Sequence, residues 1–324
     1  MSEVYVGNLF ADEDDRDDYQ QYCFGKPISD KSIYAIGWAV KAHPNNIKEY
    51  EDIAEQTEYD TKKGKKKGCE IPKFESTINT IKQLNAGDFI WTRRPKTGEY
   101  WLGKVSKEVS DISEEDFYQV YQTTNPSNHD YCLSVPCEKW VPLKIDSVPG
   151  IVSNSFYGHV ICHSSASSKI FNYCQYLYGD IKELTLSVDS LKKILSPDDE
   201  EDLLGLYLQK EKHYLIYPST NKRGTAAFEY MLAKQENGSI QKAICQCKMG
   251  NTDIELEDFE DYKTFEIYCV TDEGKVKYKG NTYEGDKPNV HVLSLMDLLI
   301  WAKKKENIDI LPDRIKKYLS NTDF

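Results

Sequence analysis

Two apolar segments joined by an Asn-Gly dipeptide constrain the fold of this chain more than any other feature. The segments run from Ala226 to Ala233 and from Gln241 to Lys248, and Asn237-Gly238 lies between them. Asn-Gly is favoured in the tight turns of β-hairpins because both of its residues tolerate a positive φ. The sequence therefore predicts an antiparallel hairpin in the C-terminal half.

The residues around this hairpin predict further regular elements. Ser196 followed by Pro197 is typical of a helix start, with a capping side chain and a proline at the first helical position. Leucines at helical spacing follow. We expect the order helix, three strands, a helical segment, two strands and a last helix. The outer strands are expected at 214–217, 265–269 and 290–293, and the last helix at 294–305.

The N-terminal half predicts a second, β-rich domain. The run from Ser32 to Trp38 is typical of a strand, and Gly87–Trp91 with Tyr100–Val105 predicts a hairpin that turns at Pro95 to Gly98. Helices are expected near 46–57, 75–85 and 187–195, and a strand near 139–145. We therefore expect two domains, residues 1–180 and 181–324, which suits a chain of 324 residues.

The composition indicates a globular protein. Hydrophobic residues make up 40% of the chain, which is enough for buried cores. No run of about 18 apolar residues and no N-terminal signal pattern occurs, so we expect a cytoplasmic protein with no membrane partner. The nine cysteines have no repeated spacing and are interpreted as reduced thiols. The net charge of −12 opposes nucleic-acid binding in general, although the run from Lys62 to Lys67 is locally basic.

Glu229, Gln246 and Lys248 fit a site for phosphodiester hydrolysis. Residues two apart on a strand share a face, and a hairpin brings an acid on the partner strand beside them. Such hydrolysis needs a divalent cation with oxygen ligands and a group that positions the attacking water. Each residue also has a simpler interpretation when it is taken singly. Glu229 is compatible with an acid on an exposed strand face, Gln246 with a polar residue whose hydrogen bonds are satisfied within a sheet, and Lys248 with a lysine that faces solvent.

The hairpin also carries a family resemblance. Phe228–Leu232, Asn237-Gly238 and Ala243–Lys248 resemble the catalytic hairpin of Mrr-like restriction endonucleases of the PD-(D/E)xK superfamily, over roughly residues 196–320. The resemblance implies that Glu229 and Gln246 bind Mg²⁺ or Mn²⁺, that Lys248 orients or activates water, and that Glu201 is a helix-borne acid at the edge of the site. Gln246 stands where the superfamily most often has Glu or Asp.

Aromatic strands in the N-terminal half resemble the PUA-like group that includes EVE and YTH domains. The similar residues are Ile33–Trp38, Leu84–Trp91 and Tyr100–Val105. The resemblance implies a pocket for a flipped or modified base, although strand aromatics are often core residues. The expected pocket residues are Trp38, Trp91, Trp101 and Tyr100, with Asp88 or Asn85 as base-edge contacts and Arg93 and Arg94 as phosphate contacts.

These features predict an α+β or α/β two-domain protein, in which a PUA-like β-barrel precedes a PD-(D/E)xK restriction-endonuclease-like fold. The expected function is Mg²⁺-dependent cleavage of modified DNA, in defence against phage or foreign DNA, by a homodimer. The absence of a G-x-x-x-x-G-K-[ST] loop predicts that the chain has no nucleotide-driven motor. Two alternatives stay open: a modified-base-binding protein whose nuclease fold is inactive, and an RNA-directed nuclease.

Overall fold

A computed structural model describes residues 2–8, 16–25, 30–36, 40, 42–56, 71–94, 97–109, 111–121, 129–156, 160–164, 167–220 and 228–324. The chain divides into two compact units, Met1–Leu184 (unit 1) and Thr185–Phe324 (unit 2), and each has a mixed α+β fold. This division falls close to the expected boundary at residue 180. Trp38 and the run from Lys62 to Lys67 lie outside the described residues.

Unit 1 combines a large sheet with helices. Its described strands are β1 (Val4–Gly7), β2 (Ile33–Ala35), β3 (Phe89–Arg94), β4 (Glu99–Val105), β5 (Phe117–Tyr121), β6 (His129–Leu143) and β7 (Ile161–His163). Its described helices are α1 (Arg16–Phe24), α2 (Ile47–Gln56), α3 (Ile71–Ile81), α4 (Gly150–Ser153) and α5 (Ser167–Tyr178).

The seven described strands of unit 1 form one curled sheet. Their order is β2-β6-β4-β3-β1-β7, and β5 pairs with β6. The predicted hairpin is confirmed, since β3 and β4 pair antiparallel with Thr92 opposite Trp101. A closed barrel requires its end strands to pair, whereas β2 and β7 stay at the two ends of the described path. The described part of unit 1 is thus a half-barrel instead of the expected barrel.

Tyr34 of β2 spans the interior of this half-barrel. Its hydroxyl donates a hydrogen bond of 2.9 Å to the carbonyl of Val160, and its ring packs on Gly7 of β1. A Cβ atom on residue 7 would lie 2.6 Å from the Tyr34 hydroxyl oxygen, so the ring requires glycine there. Tyr34 therefore ties one end of the sheet to the other through a side chain.

Unit 2 places helices around a smaller sheet. Its strands are β8 (Leu215–Ile216), β9 (Tyr230–Glu236), β10 (Ser239–Lys248), β11 (Ile254–Glu255), β12 (Glu266–Thr271), β13 (Val276–Tyr278), β14 (Asn281–Thr282) and β15 (Val290–Ser294). Its helices are α6 (Val188–Ile194), α7 (Pro197–Lys212), α8 (Leu295–Lys303), α9 (Lys305–Ile308) and α10 (Asp313–Ser320).

The main sheet of unit 2 joins an antiparallel hairpin to parallel strands, in the order β15-β12-β10-β9-β8. The predicted hairpin is confirmed: β9 and β10 flank Asn237 and Gly238, whose φ angles are 51° and 79°. β12 runs parallel to β10, and β15 runs parallel to β12. The carboxyl ends of β10 and β12 therefore meet at one edge of the sheet, where Lys248 lies opposite Thr271.

Helix α7 begins at the predicted signal. The Ser196 hydroxyl accepts a hydrogen bond from the Asp199 backbone N–H, and the Asp199 carboxylate accepts one of 2.8 Å from the Ser196 backbone N–H. This reciprocal cap satisfies two backbone donors at the helix start. Leu203 and Leu204 are then fully buried, and α7 packs on β10.

Several elements of unit 1 were not predicted. Strands β1 and β7 are short, and α5 follows a serine-rich stretch that favours loops in a sequence pattern.

None of the helices in the described ranges combines the length and the apolar character that crossing a lipid bilayer demands.

Candidate functional site

Glu229 and Gln246 meet at the end of the β9–β10 hairpin that lies away from the turn. The Gln246 side-chain nitrogen donates a hydrogen bond of 2.6 Å to Glu229 Oε1 and another of 3.2 Å to the Cys247 carbonyl. Glu229 lies one residue before β9, and its backbone N–H donates to the Cys245 carbonyl at 2.8 Å. The hairpin ladder thus fixes Glu229 beside the buried Gln246 side chain.

Helix α7 brings a second carboxyl group to the same place. The Glu201 side chain lies close enough to the Glu229 carboxyl to influence its pKa. Burial raises the pKa of Glu229, and the Lys248 charge and the hydrogen bonds with Glu201 and Gln246 oppose this rise only in part. The two carboxyl groups therefore lie together at a position that also suits a cation.

Lys248 completes the group at the last residue of β10. It lies two residues beyond Gln246, on the same face of the strand. Its ammonium group is close enough to Glu229 to lower the pKa of that carboxyl. We call Glu201, Glu229, Gln246 and Lys248 the hairpin cluster. The structure brings these four predicted site residues together.

A neighbouring acid, Glu200, was not among the predicted site residues. It is fully buried, and within the described ranges neither of its carboxyl oxygens has a hydrogen-bond partner. Burial raises the pKa of Glu200 to about 8; Asp272 and Asp199 add to the rise, and Lys192 opposes it. At neutral pH this carboxyl is therefore mostly protonated. Its spacing of three and four residues from the buried leucines of α7 is the sequence signal that places it on the inward helix face.

The acids around Glu200, unlike Glu200 itself, form ion pairs with cationic side chains. Lys192 Nζ lies 2.7 Å from Asp272 Oδ1. Arg314 binds both the buried Asp199 and Asp202, the latter at 2.8 Å. Glu200 lacks such a pairing among the described side chains and stays neutral by keeping its proton.

The donor atoms of the hairpin cluster suit a hard divalent cation. In the described part of the chain, no three His, Cys, Asp or Glu side chains form a group that could hold a metal ion. Mg²⁺ and Mn²⁺, however, bind through one or two carboxylates and keep several waters. Glu201, Glu229 and the Gln246 amide oxygen offer such a set. The Gln246 nitrogen now faces Glu229, so oxygen ligation requires the amide to turn over.

Two predicted base-pocket aromatics of unit 1 belong to its core. Trp91 is fully buried, and its indole N–H donates to Cys174 Sγ at 3.3 Å. Tyr100 is 6% exposed and packs edge-on against Phe156, with ring centroids 5.6 Å apart. Neither ring presents a free face on which a base could stack in this structure.

Asp88 and Asn85, the residues predicted to contact the edge of a base, stabilise a turn. The buried Asp88 carboxylate accepts the backbone N–H groups of Glu3 and Asn85, each at 2.8 Å. The Asn85 side chain donates to the Gln83 carbonyl at 2.9 Å. Both oxygens of Asp88 are thus engaged with the backbone, and a base edge would have to compete with these hydrogen bonds.

The predicted phosphate contacts have partners within unit 1. The Arg93 guanidinium lies over the Phe156 ring, 5.0 Å from its centroid. Arg94 Nη1 lies 3.2 Å from Glu99 Oε2. A phosphate would have to displace these contacts, so the arrangement does not favour the predicted role.

Among the described pocket candidates, Trp101 differs from Trp91 and Tyr100 because it stays partly exposed. It stacks on Phe24 of α1, a residue that the sequence analysis did not consider. Trp38, the other predicted stacking residue, lies outside the described residues.

No family model, curated protein or solved structure matches this chain.

Proposed function

We propose that unit 2 hydrolyses phosphodiester bonds in nucleic acid with a divalent cation, and that modified DNA is its substrate. The convergence of Glu201, Glu229, Gln246 and Lys248 carries this proposal, above all the 2.6 Å contact between Gln246 and Glu229. Two acids, an amide and a lysine at one sheet edge match the chemical needs of this reaction better than those of a purely structural cluster.

Each residue of the hairpin cluster has a distinct task in this proposal. Glu201 and Glu229 would hold the cation, with the Gln246 oxygen as a neutral ligand. A bound Mg²⁺ or Mn²⁺ supplies charge neutralisation and a lower pKa for water. Lys248 holds the attacking water through its ammonium hydrogens, and its positive charge favours a phosphate nearby.

Replacing Lys248 with alanine tests the proposal. The purified full-length chain is incubated with Mg²⁺ or Mn²⁺ and with modified or plain phage DNA, and cleavage and binding are measured separately. We expect Lys248→Ala to lower cleavage by about 100-fold or more while DNA binding persists. The control is Lys242→Ala, which removes an exposed lysine from the same face of β10. Undiminished cleavage by Lys248→Ala would remove the proposed site.

An inactive modified-base-binding protein is the second candidate function. The neutral Gln246, whose nitrogen faces Glu229, favours it. The variant Gln246→Glu separates the two candidates. If wild-type protein binds modified DNA but never cuts it, and Gln246→Glu cuts it with Mg²⁺, the natural chain is a binding protein.

The nucleic-acid class and the number of copies are part of the same proposal. Competition between modified DNA and RNA for cleavage distinguishes a DNA-directed from an RNA-directed nuclease. One site per chain cuts one strand at a time, so we propose that a homodimer cuts the duplex. Sedimentation of the chain with and without duplex DNA measures this directly.

A further inference from the structure

Strand β15 forms an open edge of the unit 2 sheet. Among the described residues it pairs with β12 on one side and with no strand on the other. The Ile267 N–H donates to the Asn289 carbonyl at 2.8 Å, which fixes the alternation of this parallel ladder. His291 and Leu293 then bond towards β12, so the backbone N–H and carbonyl of Val292 point away from the sheet. Outward groups of this kind are a template for another strand.

Val292 is an exposed apolar residue at the centre of this edge. Its side chain is 49% exposed, and it lies in register with Cys269 of β12 and, beyond that, with Gln246 of β10. Val292 is therefore on the same face of the sheet as Gln246 of the hairpin cluster. Strand β8, at the other end of the sheet, has two residues, whereas β15 has five. The longer edge for strand pairing is thus β15.

Helix α8 has a charge pattern that favours a second copy of this chain as the partner of this edge. It follows β15, packs on it and carries Ile300, which is 51% exposed. Its first turn holds the exposed Asp297, and the exposed Lys304 and Lys305 follow its last residue. Two such helices that lie side by side in opposite directions bring the acidic end of each to the basic end of the other.

We infer that two copies of this chain join through β15, with the two strands antiparallel about a two-fold axis at Val292. The Val292 N–H of each copy donates to the Val292 carbonyl of the other, and the two α8 helices lie antiparallel on the opposite face of the sheet from the Val292 side chains. The patch is self-complementary, as a closed dimer requires. This inference deepens the proposed function by giving its homodimer an interface, and it rests on that function for the use of the two sites.

The axis places both hairpin clusters on one face of the joined sheet. Lys248 lies in register with Thr271 and, beyond that, with Ser294, which is two residues past Val292. With strands about 4.8 Å apart and a rise of about 3.3 Å per residue, the two Lys248 positions are roughly 27 Å from each other. One nucleic-acid duplex on that face can therefore reach both sites.

Cross-linking at the axis is the first test. Full-length Val292→Cys is treated with a short bis-maleimide without divalent cations, and linked peptides are identified by mass spectrometry. We expect a 292–292 linkage, because the Cα atoms of such a hydrogen-bonded pair lie about 5.5 Å apart. Ile240→Cys is the matched control, since Ile240 is an exposed apolar residue on β10, away from the axis. The wild type measures the reaction of the native cysteines.

A charge on α8 is the second test. Ile300→Lys brings two like charges together near the axis, so the dissociation constant of the dimer should rise by about tenfold or more in sedimentation equilibrium. Ile310→Lys is the matched control, because Ile310 is an exposed apolar residue beyond α9, and it should leave the constant unchanged. A chain that sediments as a monomer with and without duplex DNA would overturn the inference. So would a dimer that gives no 292–292 linkage, or equal dissociation constants for the two lysine variants.

The interface and the nuclease fail separately in these assays. Cleavage that depends on Lys248, by a chain that gives no 292–292 linkage, would reject the interface and leave the nuclease. A dimer linked through residue 292 that cuts no nucleic acid would reject the nuclease and leave the interface.

Discussion

Replacing Glu200 with glutamine should stabilise unit 2, and the gain should grow with pH. The Glu200 side chain is fully buried, and burial raises its pKa from 4.5 to about 8. The folded protein thus keeps a proton that the unfolded chain releases above a pH of about 4.5. Glu200 therefore does not reduce the free energy of unfolding below that pH, and this free energy falls as the pH rises towards 8. Glutamine has nearly the same shape and no charge to bury.

The size of the effect follows from the two pKa values. One pKa unit corresponds to about 1.4 kcal/mol, and pH 7 lies about 2.5 units above the unfolded value while still below the folded one. Glu200 therefore lowers the free energy of unfolding by about 3 kcal/mol at pH 7 and by about 5 kcal/mol above pH 8. At pH 4 the variant and the wild type should unfold alike.

Hydrogen exchange of peptides from α7 and β10 during urea unfolding reads unit 2 separately from unit 1. Glu273→Gln is the matched control, because Glu273 is exposed and only one residue beyond Asp272. A gain that is the same at pH 5 and pH 9 would refute the reasoning, since it would come from packing and not from the charge. A loss of stability at pH 7 would show that the carboxylate has a stabilising partner.

Three further predictions concern other parts of the molecule. Arg314→Met should cost about 3–5 kcal/mol, because it leaves the buried Asp199 carboxylate unpaired, and urea unfolding measures it. Gly103→Ala should cost about 1–3 kcal/mol, because its Cβ would lie 2.8 Å from the Trp140 ring, and thermal unfolding of unit 1 measures it. Mn²⁺ affinity should increase with pH, because the pKa of Glu229 is raised and this carboxyl must lose its proton to bind the ion. Calorimetry in buffers of different ionisation enthalpy measures the released proton. The variant Glu229→Gln should abolish the pH dependence of the affinity.

The hairpin cluster was largely predictable because its geometry is encoded locally. Asn237-Gly238 sets the register that puts Glu229 beside Gln246, and the Ser196 cap sets where α7 begins and hence where Glu201 points. Glu200 was missed, since two consecutive acids in a helix look alike until one knows which face packs on the sheet.

The base pocket was less predictable, because both faces of the β3–β4 hairpin are covered. Helix α5 covers the face of Trp91 through Cys174, and Phe24 of α1 covers the face of Trp101. Neither helix was predicted, so the sequence offered no reason to expect different solvent exposure for Trp91 and Trp101. Only the packed structure distinguishes the fully buried Trp91 from the partly exposed Trp101.

The local origin of the hairpin cluster has a consequence for folding. The antiparallel hairpin of β9 and β10, which sets Glu229 beside Gln246 and Lys248, forms contacts of short sequence separation. The parallel pairing of β10 with β12, and of β12 with β15, closes longer loops and is slower. A nascent chain that has emerged as far as Lys248 already contains every member of the cluster, so the proposed chemistry can be assembled before the sheet around it is complete.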